Sequence, residues 1–394
     1  MKAKSIKGKS PEEIKSALQE SLADARPDDP VGRGFSPTLA IVFVSIKQDR
    51  KAICEILHNE GIDIIGATSC GEFIDGYQGE GSIAVLLLDL QRDAYTIIFE
   101  NIDDSSLDDA ATRVAESALQ KFARPAFILC STGISGKGEY LNGEILINKI
   151  EEVIGPDVNI FGGMAGDDYT VSGTFVFTYD QSSDNAIAAL VLDEDKVSLQ
   201  GMAISGWKPL GISRTVTKSE GGWIYTIDDQ PAVDMYMKYL GLEPTRETDK
   251  YQIFEGIGVH YPFQVERAKG APVLRTPMAV DRNKNALMCD FDIPEGTKLR
   301  FSMPPDFDIV ETVINQATEL KNTTRTEAEA LLIFSCAGRL SALGPMANAE
   351  NEGLHEVWKA PMAGFFTYGE FGKAINGKHE FHSTTCCWVA LKEK

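Results

Sequence analysis

Two stretches of the sequence place a glutamate directly after a glycine, in the frame Gly-x4-Gly-Glu-Phe. One runs from Gly66 to Phe73 and the other from Gly364 to Phe371. Glycine turns let backbone N–H groups approach a ligand closely, and a carboxylate beside such a turn can receive an amine or an ordered water. Glu72 and Glu370 are therefore candidate binding groups. The alternative is that each carboxylate caps backbone donors and only shapes its loop.

Further polar candidates lie in or near the second turn. Cys336 and Arg339 come at the end of an apolar strand, where Arg339 could bind a carboxylate or pair with a structural acid such as Glu370. Cys336 is a possible nucleophile, but no histidine base is specified and such cysteines are usually small core residues. His382 and Tyr368 could line the same pocket, although a lone histidine at a strand start is more often a structural donor.

A repeated order of elements carries these turns. Each turn follows a buried-looking strand and a helix and precedes another strand, and a third copy lies between the two. The predicted strand, helix and closing strand are 39–45, 49–59 and 82–88; 126–131, 139–154 and 186–192; and 330–336, 351–359 and 381–391. In the middle copy the turn is one residue tighter, and Asp167 takes the place of the glutamate. We interpret these as three variants of one βαβ-like unit, although any α/β chain produces a similar order.

Composition restricts the class of protein. The 394 residues are enough for two or three domains, and no apolar run is long enough to cross a bilayer. Seven cysteines without CxxC spacing indicate a reducing compartment. A net charge of −20 argues against nucleic acid and anionic membranes as partners. These features, with no signal peptide at the basic start, predict a cytoplasmic protein.

Sequence motifs for catalysis or metal binding are weak. The five histidines form no HxxxH or CxxH pattern, so no metal site is expected. There is no Walker A, GxGxxG, GxSxG or HExxH motif. We therefore expect no enzymatic activity and no required cofactor.

The predicted fold is α/β with mixed α+β character. Repeated strand-helix-glycine turn-strand units form central sheets, and a mostly antiparallel segment with short, glycine-separated strands begins after residue 193. Strands are predicted at 197–204, 212–217, 222–227, 250–264, 278–291 and 298–303, with helices at 231–240 and 308–320. The predicted divisions are an N-terminal helix and loop over 1–37, a first domain over 38–197 and a second over 198–394.

Several stretches together resemble the FIST family, with its N-terminal and C-terminal domains in tandem. They span about residues 38 to 390. The C-terminal set is the most specific. The matching stretches are IIGATSCGEF, FILCSTGISGKGEYLNGE, NIFGGMAGDD, SGWKPLGISRTVT, IYTIDDQPAVDMYMKYLG, ALLIFSCAGR, PMAGFFTYGEF and FHSTT. The last departs from the more usual His-Asn-x-Thr pattern, which puts a polar contact at Ser383 in question.

The resemblance implies a sensory input module that binds a small ligand, such as an amino acid. No output domain or F-box is recognised, so the implied partner is a separate signalling protein: a histidine kinase, a chemotaxis protein or a cyclic-di-GMP enzyme. The ligand-binding candidates are the matching glycine-turn and rim positions Gly71, Glu72, Cys336, Arg339, Thr367, Tyr368, Gly369, Glu370 and His382.

Four interpretations follow. In the leading one, a cleft between the first and last turns binds the ligand, with Glu72 and Glu370 on an ammonium group and Arg339 on a carboxylate. The resemblance also implies a haem-linked nitric oxide sensor, with His382, His260 or His355 as the iron ligand. The other two are an enzyme that uses Cys336 and a scaffold without a ligand.

Overall fold

The computed structural model describes residues 1–23, 34–102, 105–241, 257–268, 270–306, 308–375 and 377–394. Within these ranges the chain forms eight α-helices and four sheets of mixed α+β architecture. The predicted fold class and the repeated units are confirmed.

Each of the three units consists of an edge strand, a helix, a central strand, helical structure, a parallel strand, a short hairpin and a closing strand. The first unit comprises β1 (Lys2–Gly8), α1 (Pro11–Ala23), β2 (Leu39–Ser45), α2 (Arg50–Asn59), β3 (Asp63–Ser69), β4 (Glu72–Ile74), β5 (Tyr77–Gly79) and β6 (Ile83–Asp89). The second comprises β7 (Tyr95–Asn101), α3 (Leu107–Lys121), β8 (Pro125–Ser131), α4 (Gly143–Ile154), β9 (Ile160–Met164), β10 (Val176–Thr178), β11 (Ser182–Ser183) and β12 (Ala186–Asp193).

The third unit is interrupted by an inserted module. It starts with β13 (Val197–Ile204). The inserted module follows, with β14 (Lys208–Glu220), β15 (Trp223–Ile227), β16 (Gln230–Pro231), α5 (Ala232–Tyr239), β17 (Phe263–Val265), β18 (Val273–Arg275), β19 (Pro277–Asp281), β20 (Ala286–Cys289) and β21 (Lys298–Met303). The unit resumes with α6 (Ile309–Thr324), β22 (Ala330–Cys336), α7 (Ala337–Leu343), α8 (Met346–Trp358), β23 (Met362–Thr367), β24 (Glu370–Lys373), β25 (His379–His382) and β26 (Cys386–Glu393).

Some predicted elements differ from those observed. The sequence does not predict β1, because Ile6 is its only large apolar residue and lysines alternate along the strand. This composition suits an edge strand. The strand predicted at 278–291 is a hairpin of β19 and β20 that turns at Asn285, where φ is +49°. Residues 250–256 of the strand predicted at 250–264 lie outside the described residues, and in the described part, 257–264, the strand present is β17.

The units exchange their hairpins in a closed cycle. Strand β4 of the first unit pairs with β23 of the third, β24 of the third pairs with β9 of the second, and β10 of the second pairs with β3 of the first. Each six-stranded sheet therefore contains four strands of one unit and a two-stranded hairpin from another. The arrangement is a pseudo-threefold ring that no unit completes by itself.

A phenylalanine opposite a glycine fixes each exchange. The register pairs Phe73 with Gly364, Phe371 with Gly162 and Phe177 with Gly66. A Cβ on Gly66 or Gly364 would overlap the partner ring, so these glycines provide space for an aromatic side chain from the neighbouring unit. This explains the Gly-x4-Gly-Glu-Phe frame: its first glycine receives one hairpin, and its phenylalanine belongs to the hairpin that is donated.

The three sheets share one hydrophobic core. Alternate residues of the central strands β2, β8 and β22 point into it: Leu39, Ile41 and Phe43; Ala126, Ile128 and Cys130; Ala330, Leu332 and Phe334. Their intervening residues pack outward against the helices, as Ala40, Val42 and Val44 do against α1 and α2. Burial on both faces accounts for the continuous apolar runs of these strands.

The inserted module has its own core and docks on the second and third units. Its curled antiparallel sheet encloses α5. Arg275, which is 1% exposed, pairs with Glu144 at 2.7 Å. Arg267 bridges Glu144 at 3.0 Å and Glu380 of β25 at 3.1 Å. The module is thereby attached to the hairpin that carries Glu370.

Candidate functional site

The three glycine turns meet where the parallel strands end. The N–H of Cys70 donates to the carbonyl of Phe366 at 2.9 Å, and the N–H of Tyr368 donates to that of Met164 at 3.1 Å. The N–H of Gly166 donates to the carbonyl of Thr68 at 2.8 Å, which closes the cycle. In each case the acceptor lies two residues before the donor that its own unit supplies: Phe366 before Tyr368, Met164 before Gly166 and Thr68 before Cys70. These bonds bring all three turns together and define Cys70, Gly166 and Tyr368 as equivalent.

In the first turn, Glu72 is enclosed by hydroxyl groups of its own unit. Its carboxylate is 0% exposed and accepts a hydrogen bond from the Oγ of Ser69, three residues earlier. The backbone N–H and Oγ of Ser82 donate to its other oxygen at 2.9 and 2.6 Å. Burial raises the pKa of Glu72 to about 7, although these donors act in the opposite direction.

The last turn repeats this arrangement around Glu370, which is also 0% exposed. Thr367 donates to it from three residues earlier, and Thr385 donates through its N–H at 3.1 Å and its Oγ1 at 2.7 Å. Burial raises the pKa of Glu370 to about 7. Thr367 and Glu370, both predicted site residues, therefore lie in direct contact.

The middle turn departs from this pattern. The cyclic bonds align Asp168, not Asp167, with the two glutamates, which corrects the prediction of a turn one residue tighter. Ala165 stands where Ser69 and Thr367 stand in the other units, so the hydroxyl brace is missing. Asp168 turns instead to the first unit, where the Oγ of Ser45 donates to it at 2.7 Å and Lys47 pairs with it at 3.1 Å.

Asp167 lies at the centre of the converging turns. It is 0% exposed, and Tyr368 of the third unit donates its hydroxyl to the Oδ1. The Oδ2 accepts the N–H of Ser172 at 2.6 Å and that of Gly173 at 3.2 Å. Cys70 of the first unit packs against the same turn, since a Cβ on Gly166 would lie 2.6 Å from its Sγ. Burial raises the pKa of the Cys70 thiol to about 12.

Arg339 pairs with Glu350, not with Glu370. Both side chains are 0% exposed, and the Nε of Arg339 donates to the Oε2 of Glu350 at 2.8 Å while the Nη2 donates to the Oε1. The Nη1 donates to the carbonyls of Ser205 and Thr384. Each of the three guanidinium nitrogens thus has a partner, and the edge formed by Nε and Nη2, which a ligand carboxylate would bind, is taken by Glu350.

Cys336 and His382 are also buried. Cys336 is 6% exposed, and burial, together with the negative charge of Glu370, raises the pKa of its thiol well above the usual range. His382 is 4% exposed, its Nε2 lies 3.1 Å from the carbonyl of Gly372, and burial lowers its pKa to about 4. A raised thiol pKa disfavours the thiolate that a cysteine nucleophile requires.

Gly71 and Gly369 place backbone close to neighbouring groups. Gly71 has a φ of +131°, and a Cβ there would come within 3.1 Å of the Phe366 ring and 3.2 Å of the carbonyl of Gly79. A Cβ on Gly369 would overlap the ring of Phe381. Both glycines are needed for close packing of the turns.

Sequence reasoning omitted Cys70, Asp168 and Tyr169 from the candidates and used Asp167 only as a counterpart of the glutamates. Tyr169 is 41% exposed and its hydroxyl donates to the carbonyl of Ala337 at 3.3 Å. The sequence predicts a turn over 161–167, but the contacts of this segment with the other units depend on the hairpin exchange, which no local pattern reveals.

Two surface concavities lie elsewhere. One, of about 730 Å³, lies between β1 and α1 and is lined by Lys7 and Glu20 among others; the second, of about 540 Å³, is lined by Lys218 and Tyr225 among others. Neither is lined by a candidate site residue. Within the described ranges no group of three or more His, Cys, Asp or Glu side chains could hold a metal ion. In the same part of the chain, no helix has the length and hydropathy needed to traverse a bilayer.

Comparison with known families agrees with the stretches identified in the sequence. A sequence model of the FIST N domain matches residues 38–230, and one of the FIST C domain matches residues 232–373. The two matches are adjacent and cover most of the chain. No curated protein matches it.

Proposed function

This chain belongs to the FIST family, whose domains are associated with sensory signal transduction and small-ligand binding, and from that premise we propose that it senses a small ligand carrying an ammonium group. The binding site is the region where the three glycine turns converge. The finding that carries the proposal is the set of buried carboxylates there, one from each unit: Glu72, Asp167 and Glu370.

Charge supports this ligand class. Each of the three carboxylates is 0% exposed, and among the described residues none forms an ion pair with a lysine or arginine. By contrast, the buried Glu350 has Arg339 as its counterion. Burying a carboxylate without a counterion is costly, so a bound cation would be favoured strongly. An amine or amino acid supplies that cation.

Proton linkage follows from the same geometry. The pKa values of Glu72 and Glu370 are raised to about 7 by burial, so part of each population is protonated at neutral pH. A nearby ammonium group would favour the ionised form and lower both pKa values. Ligand binding is therefore expected to release protons near pH 7.

The position of the site supports a role in switching. A ligand that contacts the three turns would favour whichever arrangement of the units gives it the best contacts, and a sensor requires such a difference between states. The output is a separate signalling protein, such as a histidine kinase, a chemotaxis protein or a cyclic-di-GMP enzyme. A cytoplasmic location accords with the cysteines, all of which are free and buried.

A thermal-shift panel of amino acids and simple amines tests the proposal. A true ligand at one hundred times its Kd adds about 2.7 kcal/mol to the free energy of unfolding, which raises the unfolding temperature by several degrees. Asp167→Asn removes the charge, keeps one acceptor oxygen and replaces the other with an amide NH2 group, and it should abolish the shift. Asp157→Asn, at an exposed acid, is the control with the same charge change. No shift with any amine at millimolar concentration would refute the proposal.

Haem remains a second prediction, but the surroundings of His382 and His355, two of its three candidate ligands beside His260, do not favour it. His382 is buried against the carbonyl of Gly372, and the Nδ1 of His355 lies 3.2 Å from the carbonyl of Ala360. Neither imidazole faces one of the concavities described above. A Soret band after reconstitution, abolished by replacing one histidine with alanine, would reverse this conclusion.

A further inference from the structure

The segment Asp167–Gly173, here called the strap, is the part of the ring that breaks its pseudo-threefold symmetry. In the other two units the carbonyl of the residue after the equivalent turn position accepts a hydrogen bond back from the neighbour: Gly71 from the N–H of Phe366 and Gly369 from the N–H of Met164. In the middle unit the N–H of Thr68 donates to the carbonyl of Phe175 instead. The residues between Gly166 and Phe175 are therefore displaced from the ring into a loop above it.

The strap crosses from its own unit onto both others. Towards the first unit, the N–H of Asp168 donates to the carbonyl of Ser69 at 2.9 Å, and Lys47 pairs with the carboxylate of Asp168. Towards the third, the Tyr169 hydroxyl donates to the carbonyl of Ala337, at the start of α7. It thus reaches from the turn that precedes Glu72 to the start of α7 in the third unit.

The backbone of the strap is strained. Asp168, Tyr169 and Val171 have φ values of +54°, +62° and +51°. A β-branched residue is a genuine outlier in this region, and each such residue raises the free energy of the conformation that contains it. The side chains of Tyr169 and Val171 are 41% and 55% exposed, so packing of these side chains contributes little to holding the conformation.

Hydrogen bonds to Asp167 fix the shape of the strap and connect it to the third unit. Its Oδ2 accepts the two N–H groups of Ser172 and Gly173, its backbone carbonyl accepts the N–H and Oγ1 of Thr170, and its Oδ1 accepts the hydroxyl of Tyr368. The carboxylate that fixes the shape of the strap is thus one of the three that form the proposed site. A cation bound there would compete directly for the same oxygens.

We propose that the strap is a lid whose closed form is strained. The lid must open to admit the ligand, and the hydrogen bond from Tyr169 to the start of α7 favours its closure. This inference rests on the proposed function for its ligand, but not for its motion. The strain at Val171 favours opening, and the bond from Tyr169 to Ala337 favours closing. Because the closed form excludes the ligand, its population lowers the apparent affinity.

Alkylation of Cys70 measures the opening without any ligand. Cys70 is 1% exposed and lies under the strap, whereas Cys130, in the central core at 0% exposure, reports global unfolding in the same sample. Maleimide labelling of the whole protein, quantified by mass spectrometry of each cysteine peptide, gives both rates.

The proposal predicts how the variants rank in the rate of Cys70 labelling. Val171→Gly relieves the strain of the closed form and should slow labelling of Cys70 by about five-fold. Tyr169→Phe removes the closing bond and should speed it by about three-fold. Val171→Ala removes the branched side chain but keeps a Cβ at positive φ, and should lie closer to the wild-type rate than Val171→Gly. Labelling of Cys130 should not change.

Two outcomes would overturn the lid. One is Val171→Gly labelling at the wild-type rate or faster; the other is Cys70 and Cys130 changing in parallel, which would mean global unfolding. Once an amine ligand is found, its affinity should fall in Val171→Gly and rise in Tyr169→Phe. The expected labelling order without any amine binding would retain the lid and refute the proposed function. Amine binding with unchanged labelling rates in the variants would refute the lid and retain the proposed function.

Discussion

Glu72 and Glu370 occupy equivalent positions in two units that are far apart in the chain, and each accepts hydrogen bonds from a hydroxyl three residues earlier and from the residue before the closing strand. The equivalence extends to their pKa values, both raised to about 7 by burial. Two carboxyl groups with the same donors in the same environment are therefore expected to titrate alike.

The pH dependence of stability is the first prediction. Since the folded pKa values lie above the ordinary value of 4.5, the native state keeps protons that the unfolded chain has lost between about pH 4.5 and pH 7. Each carboxyl thus lowers the free energy of unfolding as pH rises through this window, by up to about 1.4 kcal/mol per pH unit. Glu72→Gln and Glu370→Gln should each remove one such contribution.

Urea denaturation at pH 5, 6 and 7 measures this effect. His379 and His382 act in the opposite direction, because burial lowers their pKa values to about 4 and the native state gains stability as pH rises from there to about 6.5. The quantity to compare is therefore the free energy of unfolding of the variant minus that of the wild type at each pH. Equal slopes in Glu370→Gln and the wild type would contradict the prediction.

The glycine that receives each hairpin is the second prediction. In Gly364→Ala the new Cβ overlaps the ring of Phe73, which should cost about 1–3 kcal/mol of stability. Gly34→Ala is the control, since nothing lies within 4 Å of a Cβ there. Adding Phe73→Leu to Gly364→Ala should recover part of the loss, because the smaller side chain leaves room. Strictly additive costs would show that the two residues do not contact each other.

The buried pair of Arg339 and Glu350 is the third. Arg339→Met leaves the Glu350 carboxylate at 0% exposure without a counterion and should cost about 3–5 kcal/mol. The double variant with Glu350→Leu should cost less than the sum of the single changes. Lys51→Met removes an exposed pair of 3.9 Å with Glu55 and should change stability by less than about 0.5 kcal/mol. Chemical denaturation of the two single variants and the double variant gives the coupling energy between Arg339 and Glu350, and Lys51→Met is measured in the same way. A coupling energy of zero would contradict the ion pair.

Docking of the inserted module is the fourth. Arg275→Met removes the ion pair with Glu144 and should loosen the module from the ring by about 1–3 kcal/mol, since Arg275 is almost fully buried. Limited proteolysis should then cut within residues 257–303 faster than in the wild type. Arg300→Met, which removes a pair with Glu266 inside the module, is the control. Equal cleavage rates in the two variants would contradict a docking role for Arg275.

Much of this fold could be predicted from the sequence because its signals are local. The central strands appear as continuous apolar runs, and helix α3 starts at a Ser106 cap whose side chain accepts the N–H of Asp109. The repeated Gly-Glu-Phe frame located both glutamates. These patterns depend only on residues close together in the chain.

The exchange of hairpins could not be predicted from local patterns, and the contacts between units at the candidate site depend on it. Phe73 pairs with Gly364 across the whole chain, so neither residue indicates its partner. The same holds for Arg339, whose partner Glu350 lies just before the predicted helix 351–359 without any local sign of the pairing, and for Tyr368, which reaches Asp167 in another unit. The alignment of Asp167 with the glutamates was wrong because the strap hides the true register.

The closed cycle of hairpins has a consequence for synthesis on the ribosome. The pairing of β4 with β23 cannot form until about 290 further residues have been made after Ile74. At roughly 5–20 residues per second, the first unit waits on the order of 15–60 s with the edge of that hairpin uncovered. During this interval the nascent chain is open to pairing with the wrong strand, so production in cells should depend on chaperones and improve when translation is faster.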